Sequence, residues 1–279
     1  MLFSQKKKVY FSTILLCIGI GVLLLTLLYY FSWSFIIESY IEIDGALGVI
    51  IIILSRIIIV SGMAFFIFLQ WFKQEDQYFS DLPFLFGLFF LLLVFGKAFD
   101  LLIDFIFYQV EEVVVLSLTK IRFIIMILDF LPMIYLSIGM ILFSFSLKEK
   151  FRSLRNEKSL NKVRIKIILF IILCEIAAII FINNIQMISY LYPIIVIPSL
   201  ITIVWLFNFA FRNKRLSNVN TSILWKTFTA YLISQIIRPL AQVLIGESPL
   251  FLIFAETLDL IIFIAIFVGF YKKANYVVK

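Results

Sequence analysis

The chain has 279 residues, of which 63% are hydrophobic and 15% charged, and its formal net charge is +7. Soluble domains carry about 25% charged residues, and a soluble fold this apolar would expose large hydrophobic patches to water. The composition therefore excludes an ordinary soluble protein and favours an integral protein of the cell membrane. Histidine is absent, which removes the commonest metal ligand and general base, so we expect no metal site and no cofactor.

Eight apolar runs are long enough to span a bilayer, which takes about 20 residues. The first run follows three lysines but is too long for a signal peptide, so it is interpreted as a retained helix. The predicted fold class is all-α, a polytopic bundle of eight transmembrane helices. The predicted helices cover residues 9–33, 47–71, 82–107, 120–147, 167–185, 191–211, 222–245 and 250–271.

Basic residues occur in every second connection between these helices. The outer segments that contain no Lys or Arg are 34–46, 108–119, 186–190 and 246–249. The Lys and Arg of the connections lie instead in the N-terminal segment, 72–81, 148–166, 212–221 and the C-terminal tail. Because basic loops stay on the cytoplasmic side, we predict that both termini are cytoplasmic.

The segment 148–166 is the most basic connection and is predicted to continue a helix with a thin apolar stripe. We favour its contact with anionic lipid headgroups, and docking of a membrane or cytoplasmic partner protein is the alternative. The bilayer is the expected partner, and nucleic acid is not, because the positive charge is confined to short loops. The basic residues of the segment are Lys148, Lys150, Arg152, Arg155, Lys158, Lys162, Arg164 and Lys166.

The same segment separates a first four-helix half, 1–147, from a second, 167–279. Phe-Leu-Gln-Trp-Phe-Lys at 68–73 and Phe-Asn-Phe-Ala-Phe-Arg at 207–212 end corresponding helices. With an even number of spans in each half, a duplication would give two parallel repeats, as some transporters have. A chance match between apolar segments is the alternative.

Ionisable residues inside the predicted spans are the candidate site. A charge at mid-bilayer costs about 2.5–3.5 kcal/mol, so these side chains are expected to pair with one another or to face water. Lys97, Asp100 and Asp104 share one helix face because they are three and four residues apart. The predicted topology puts all of the network except Arg56 in the extracytoplasmic half. The predicted network is Arg56, Lys97, Asp100, Asp104, Arg122, Asp129, Arg238, Glu256 and Asp259.

Two prolines lie beside this network. Pro132 follows Asp129 by three residues, and Pro239 directly follows Arg238. A proline inside a helix removes one backbone hydrogen bond and often kinks the helix. Both positions are therefore predicted helix kinks.

Three functions follow from this pattern. We favour a small-solute or ion transporter with a polar site in the extracytoplasmic half of the bundle. One alternative is a sensory or receptor module that signals through a partner. Another is a structural or assembly subunit of a membrane complex, in which the charges form internal salt bridges or contacts to neighbouring subunits. An enzyme is the least favoured class, because no catalytic signature is found.

Overall fold

The chain is all-α in the computed structural model, which describes residues 5–43, 45–107, 109–246 and 248–273. Eight of the helices in this part of the chain are long, and each overlaps one predicted span. A 3₁₀ segment, Glu149–Arg155, lies between α5 and α6. The helices are α1 (Gln5–Phe31), α2 (Trp33–Glu42), α3 (Ala46–Lys73), α4 (Leu82–Ile106), α5 (Glu112–Ser146), α6 (Glu157–Ile180), α7 (Ile185–Arg212), α8 (Thr221–Ile245) and α9 (Pro249–Tyr271).

Six helices in the described ranges are long and apolar enough to cross a membrane, namely α1, α3, α4, α5, α7 and α9. The other two long helices, α6 and α8, carry more polar residues. Basic residues occupy the first turns of α6, which also contains Glu175, and α8 contains Lys226 and Arg238. The complete set of eight spans and the cytoplasmic position of both termini remain predictions.

Several predicted helix boundaries at the connections that lack Lys and Arg are wrong. Residues 34–42, predicted as part of a connection, belong to α2, and α5 begins at Glu112 rather than at residue 120. Helix α7 begins at Ile185 because the side chain of Asn184 accepts a hydrogen bond from the backbone N–H of Met187 at 2.7 Å. Such a cap satisfies a backbone donor at the helix start, so it sets the boundary before the apolar run begins.

The sequence predicts that the basic segment 148–166 continues a helix, which is wrong for residues 148–156 and correct for residues 157–166, which belong to α6. Helix α5 ends at Ser146, and α6 begins at Glu157, directly after the 3₁₀ segment. Asn156 caps α6 by accepting a hydrogen bond from the backbone N–H of Lys158 at 3.0 Å. The later basic residues of the segment, including Arg164, therefore belong to the first turns of α6.

The chain forms two compact units, Met1–Leu118 and Thr119–Lys279. The division between them lies inside α5 and not at the basic segment. The two predicted four-helix halves, 1–147 and 167–279, and their duplication remain predictions.

In the first unit, α3 and α4 are packed closely together. Trp71 and Phe84 are in ring contact at 4.9 Å, and the indole N–H of Trp71 donates to Asp81 at 3.0 Å. Helix α2 is tied to the end of α4 by the hydroxyl of Ser39, which donates to the carbonyl of Phe105 at 2.5 Å. This contact holds α2 against α4.

In the second unit, α8 packs between α7 and α9. Phe207 and Phe228 stack at 5.3 Å between α7 and α8, and Tyr231 meets Phe263 edge-on at 5.3 Å between α8 and α9. Near the C-terminal end of α9, Gly269 packs against α8. A Cβ at this position would lie only 3.0 Å from Leu224. These contacts fix the register of α8 against α9, which positions the charged residues described below.

We predict that α6 and α8 cross the membrane although they are the most polar of the long helices. The test replaces Cys17 and Cys174, which are both exposed, by serine and introduces single cysteines. Ser217→Cys and Lys158→Cys are expected to react with a membrane-impermeant thiol reagent only from the cytoplasmic side, because Ser217 precedes α8 and Lys158 lies in the first turn of α6. Leu250→Cys and Asn183→Cys, which follow these helices, should react only from the opposite side. Labelling of both members of either pair from one side would contradict a spanning helix.

Candidate functional site

One arginine in the second unit is shared by two buried carboxylates. Arg238 on α8 donates through Nη2 to Glu256 Oε1 at 2.6 Å and through Nη1 to Asp259 Oδ2 at 3.2 Å. Glu256 and Asp259 lie on one face of α9 because they are three residues apart. The hydroxyl of Ser234, one turn before Arg238 on α8, donates to the other Asp259 oxygen at 3.2 Å. We call Arg238, Glu256 and Asp259 the arginine triad.

The members of the arginine triad differ in exposure. The side chains of Glu256 and Asp259 are 2% exposed, whereas that of Arg238 is 25% exposed. Of the three side chains, only that of Arg238 is partly accessible to another molecule. Charge-assisted hydrogen bonds of this kind are short and strong, which holds the arginine in place.

A second polar contact adjoins the triad. The hydroxyl of Tyr192 on α7 donates to the side-chain oxygen of Gln235 on α8. The ring of Tyr192 also meets Phe123 of α5 edge-on at 6.3 Å. Gln235 is buried, so its amide is bound by the tyrosine within the bundle. Four helices of the second unit therefore contribute to the surroundings of the triad.

Arg122 and Asp129, also predicted members of the network, form a pair within α5. The guanidinium Nη1 lies 3.4 Å from Asp129 Oδ2, and the aspartate side chain is 3% exposed. Seven residues are about two helical turns, so the arginine side chain must extend along the helix to reach the acid. Pro132 and Pro239 lie inside α5 and α8, which continue through them, and their kinks remain predictions.

The other predicted members lie in the first unit. Arg56 on α3 and Lys97 on α4 are buried, Asp100 is half-buried and Asp104 is exposed. Each of them takes part in a polar or electrostatic contact. Tyr29 of α1 lies near enough to Asp100 and Asp104 to interact with them electrostatically, and its hydroxyl donates to the carbonyl of Ala98 at 2.7 Å. A single network across both units remains a prediction.

The first unit also contains an apolar groove of about 680 Å³ between α1, α3 and α4. It runs from Phe11 to Tyr29 along α1, and nearly all of its lining is aliphatic or aromatic. Ser61 and Thr26 are among its few polar residues. A groove of this kind suits hydrocarbon better than a hydrated solute, so the arginine triad is the better candidate for a polar site.

Four polar residues near the charges were not predicted as site residues from the sequence: Tyr29, Tyr192, Ser234 and Gln235. Ser234 could have been found, because it lies four residues before Arg238 and so shares its helix face. Gln235 lies three residues before Arg238 and could have been found for the same reason. The tyrosines could not have been found in this way, since they lie on other helices and reach the site only through packing.

The chain has no match among protein-family models, curated proteins or solved structures. Its class therefore rests on the helices themselves: six apolar helices of membrane-spanning length are what a multi-pass membrane protein requires. No group of three or more Cys, Asp and Glu side chains in the described residues is arranged to hold a metal ion.

We predict that removing only the arginine of the triad destabilises the protein strongly. Arg238→Met leaves two buried acids without this counter-charge, which costs about 3 kcal/mol or more. The loss should appear as a lower midpoint of thermal unfolding in detergent, followed by tryptophan fluorescence. Arg238→Met combined with Glu256→Gln and Asp259→Asn should recover much of the loss. Arg212→Met, at the exposed end of α7, is the control and should change little.

Proposed function

We propose that the protein is a secondary transporter that couples the movement of a small anionic or zwitterionic solute to protons. The arginine triad is the proposed coupling site. The observation that carries this proposal is that one partly exposed arginine side chain pairs with two buried carboxylates. Residues of this kind inside membrane helices commonly mark ion pathways and proton relays.

The chemistry follows from competition for the guanidinium. While both acids are ionised, Glu256 and Asp259 each accept a hydrogen bond from Arg238. Protonation of either acid neutralises it and weakens its bond to the arginine, so one edge of the guanidinium becomes available to an external anion. Carboxylates and phosphates bind such an edge through two parallel hydrogen bonds. Proton uptake would therefore favour binding of an anionic group at the same place.

The predicted topology supplies the direction. With eight spans and cytoplasmic termini in the cell membrane, α8 runs outward, and Arg238 late in this helix lies in the extracytoplasmic half. A solute and a proton would then enter the site from outside. Closure of the outer side and opening of the inner side would release both into the cytoplasm, as alternating access requires.

A structural or assembly subunit is the competing function, because the arginine triad would also join α8 to α9 in a protein that transports nothing. Buried ion pairs can fix how elements pack without adding to stability. The two functions differ in one measurable respect. A coupling site must change its protonation during the transport cycle, whereas a purely structural salt bridge keeps its charges.

The test uses purified protein in liposomes that contain a pH-sensitive dye. Amino acids, monocarboxylates, dicarboxylates and inorganic phosphate are added outside in turn. We expect at least one of these solutes to cause acidification of the interior. Glu256→Gln or Asp259→Asn should lower the initial rate by about tenfold or more, the equivalent of about 1.4 kcal/mol in barrier height.

Glu75→Gln is the matched control for the carboxylate variants. Glu75 is exposed in the connection between α3 and α4, so its amide variant should transport at the rate of the unchanged protein. Equal rates for the control and both triad variants, with all proteins folded in the liposomes, would show that the triad does not couple transport.

A further inference from the structure

Arg164, which the sequence placed in a cytoplasmic loop, is a buried residue of α6. It is 9% exposed and lies against α5. Its guanidinium stacks on the ring of Tyr135 at 3.8 Å from the ring centre. The same guanidinium donates through Nη2 to the hydroxyl of Tyr135 and to the side-chain oxygen of Asn161. The arginine is thus held in a fixed position by neutral groups.

No carboxylate among the described residues pairs with Arg164. Both of its hydrogen bonds there leave from Nη2, and its buried Nε has no acceptor in this part of the chain. A buried charge that lacks a counter-charge is costly, and so is a buried donor that lacks an acceptor. Since this part of the chain provides no counter-charge, an anion that binds the guanidinium would supply one.

The guanidinium packs directly against α5 at Gly139. A Cβ at this position would lie 2.7 Å from Nη1 of Arg164, so the lack of a side chain at Gly139 permits this close approach. This position is at one end of an apolar groove.

The groove lies between α5, α6 and α7 and has a volume of about 300 Å³. Ile167 and Ile168, three and four residues after Arg164, line it from the same face of α6. Ile134 and Ile138, which flank Tyr135 and Gly139, line it from α5. The groove therefore begins about one helical turn from Arg164, and its walls on α5 and α6 consist mostly of isoleucines.

The length of the groove suits one hydrocarbon chain. Its lining on α5 extends from Ile127 to Ile141, which is about 21 Å at 1.5 Å per residue and exceeds the roughly 15 Å of one leaflet core. Its polar residues are Glu175, Ser199 and Thr202. Glu175 is about 16 Å along α6 from Arg164, and the hydroxyl of Thr202 already donates to Pro198.

We propose that Arg164 and this groove bind one anionic phospholipid, with its phosphate on the guanidinium and one acyl chain between α5, α6 and α7. Arginine suits this role because its planar guanidinium matches the geometry of phosphate oxygens. The exposed Lys158, Lys162 and Lys166 on the same helix add positive charge that favours an anionic headgroup over a neutral one. The site does not depend on the transport proposal, because neither the arginine triad nor its acids take part in it.

The test measures the lipid that remains bound to the full-length protein. Protein is incorporated into bilayer discs of equal parts phosphatidylglycerol and phosphatidylcholine, transferred to neutral detergent and analysed by native mass spectrometry. We expect one phosphatidylglycerol to be retained in preference to phosphatidylcholine. Arg164→Gln should lower its retention about tenfold, as expected for the loss of charge-assisted hydrogen bonds. Arg164→Lys should retain an intermediate amount, because lysine keeps the charge but not the planar donor geometry.

Lys162→Gln is the matched control, because it removes the same charge from an exposed position two residues away. Because an exposed lysine adds only diffuse attraction, this variant should lower phosphatidylglycerol retention much less than Arg164→Gln does. Equal losses in Lys162→Gln and Arg164→Gln would show only a diffuse surface attraction and overturn the site. Undiminished retention in Arg164→Gln would overturn it as well.

Ser199→Phe tests the groove separately and leaves Arg164 in place. The added ring should fill the groove and lower phosphatidylglycerol retention. If Arg164→Gln does not fold, Ser199→Phe tests the lipid site in its place. Inorganic phosphate distinguishes the lipid from a small anion. Thermal protection of the lipid-stripped protein should be larger with phosphatidylglycerol than with phosphate. Equal protection by phosphate alone would show that no acyl chain is bound and overturn the proposal.

Discussion

The free-energy cost of a charge among apolar helices determines where the polar residues of this protein lie. Hydrocarbon offers no hydrogen bonds, so each buried ionisable group needs a partner on a neighbouring helix or turn. The arginine triad meets this need between α8 and α9 with contacts of 2.6 and 3.2 Å. Arg122 and Asp129 meet it within α5. The register of α8 against α9, which the aromatic contacts and Gly269 hold, is a condition for the first of these.

Two arginines of the second unit have opposite surroundings. Arg238 faces two carboxylates, so the acids compete for one guanidinium. Arg164 faces neutral oxygen atoms and an aromatic ring, and its buried Nε lacks an acceptor among the described residues. Competition among acids is the property that proton coupling needs, while a guanidinium surrounded by neutral groups suits an anionic ligand. One physical constraint thus supports two different proposals at two positions.

Much of the helical pattern could be predicted from the sequence, because runs of apolar residues of bilayer length are a strong signal. Each long helix overlaps a predicted span. The errors occurred where local hydrogen bonds set the boundary: Asn184 and Asn156 begin α7 and α6 earlier than hydrophobicity indicates. Helix α2 was missed because it is short and is fixed by the bond from Ser39 to Phe105. The bond from Ser39 depends on the position of a second helix, α4, which sequence patterns do not give.

The sequence by itself determined the helical class, the apolar helices and the residues whose charges require compensation. Hydropathy and spacing along one helix suffice for these conclusions, since they are properties of neighbouring residues. Only the tertiary structure decided which charge meets which: that Glu256 and Asp259 share Arg238, and that Arg164 is buried against Gly139 and Tyr135. Pairing between helices depends on their register and on close packing at particular side chains, and these arise only when the helices assemble.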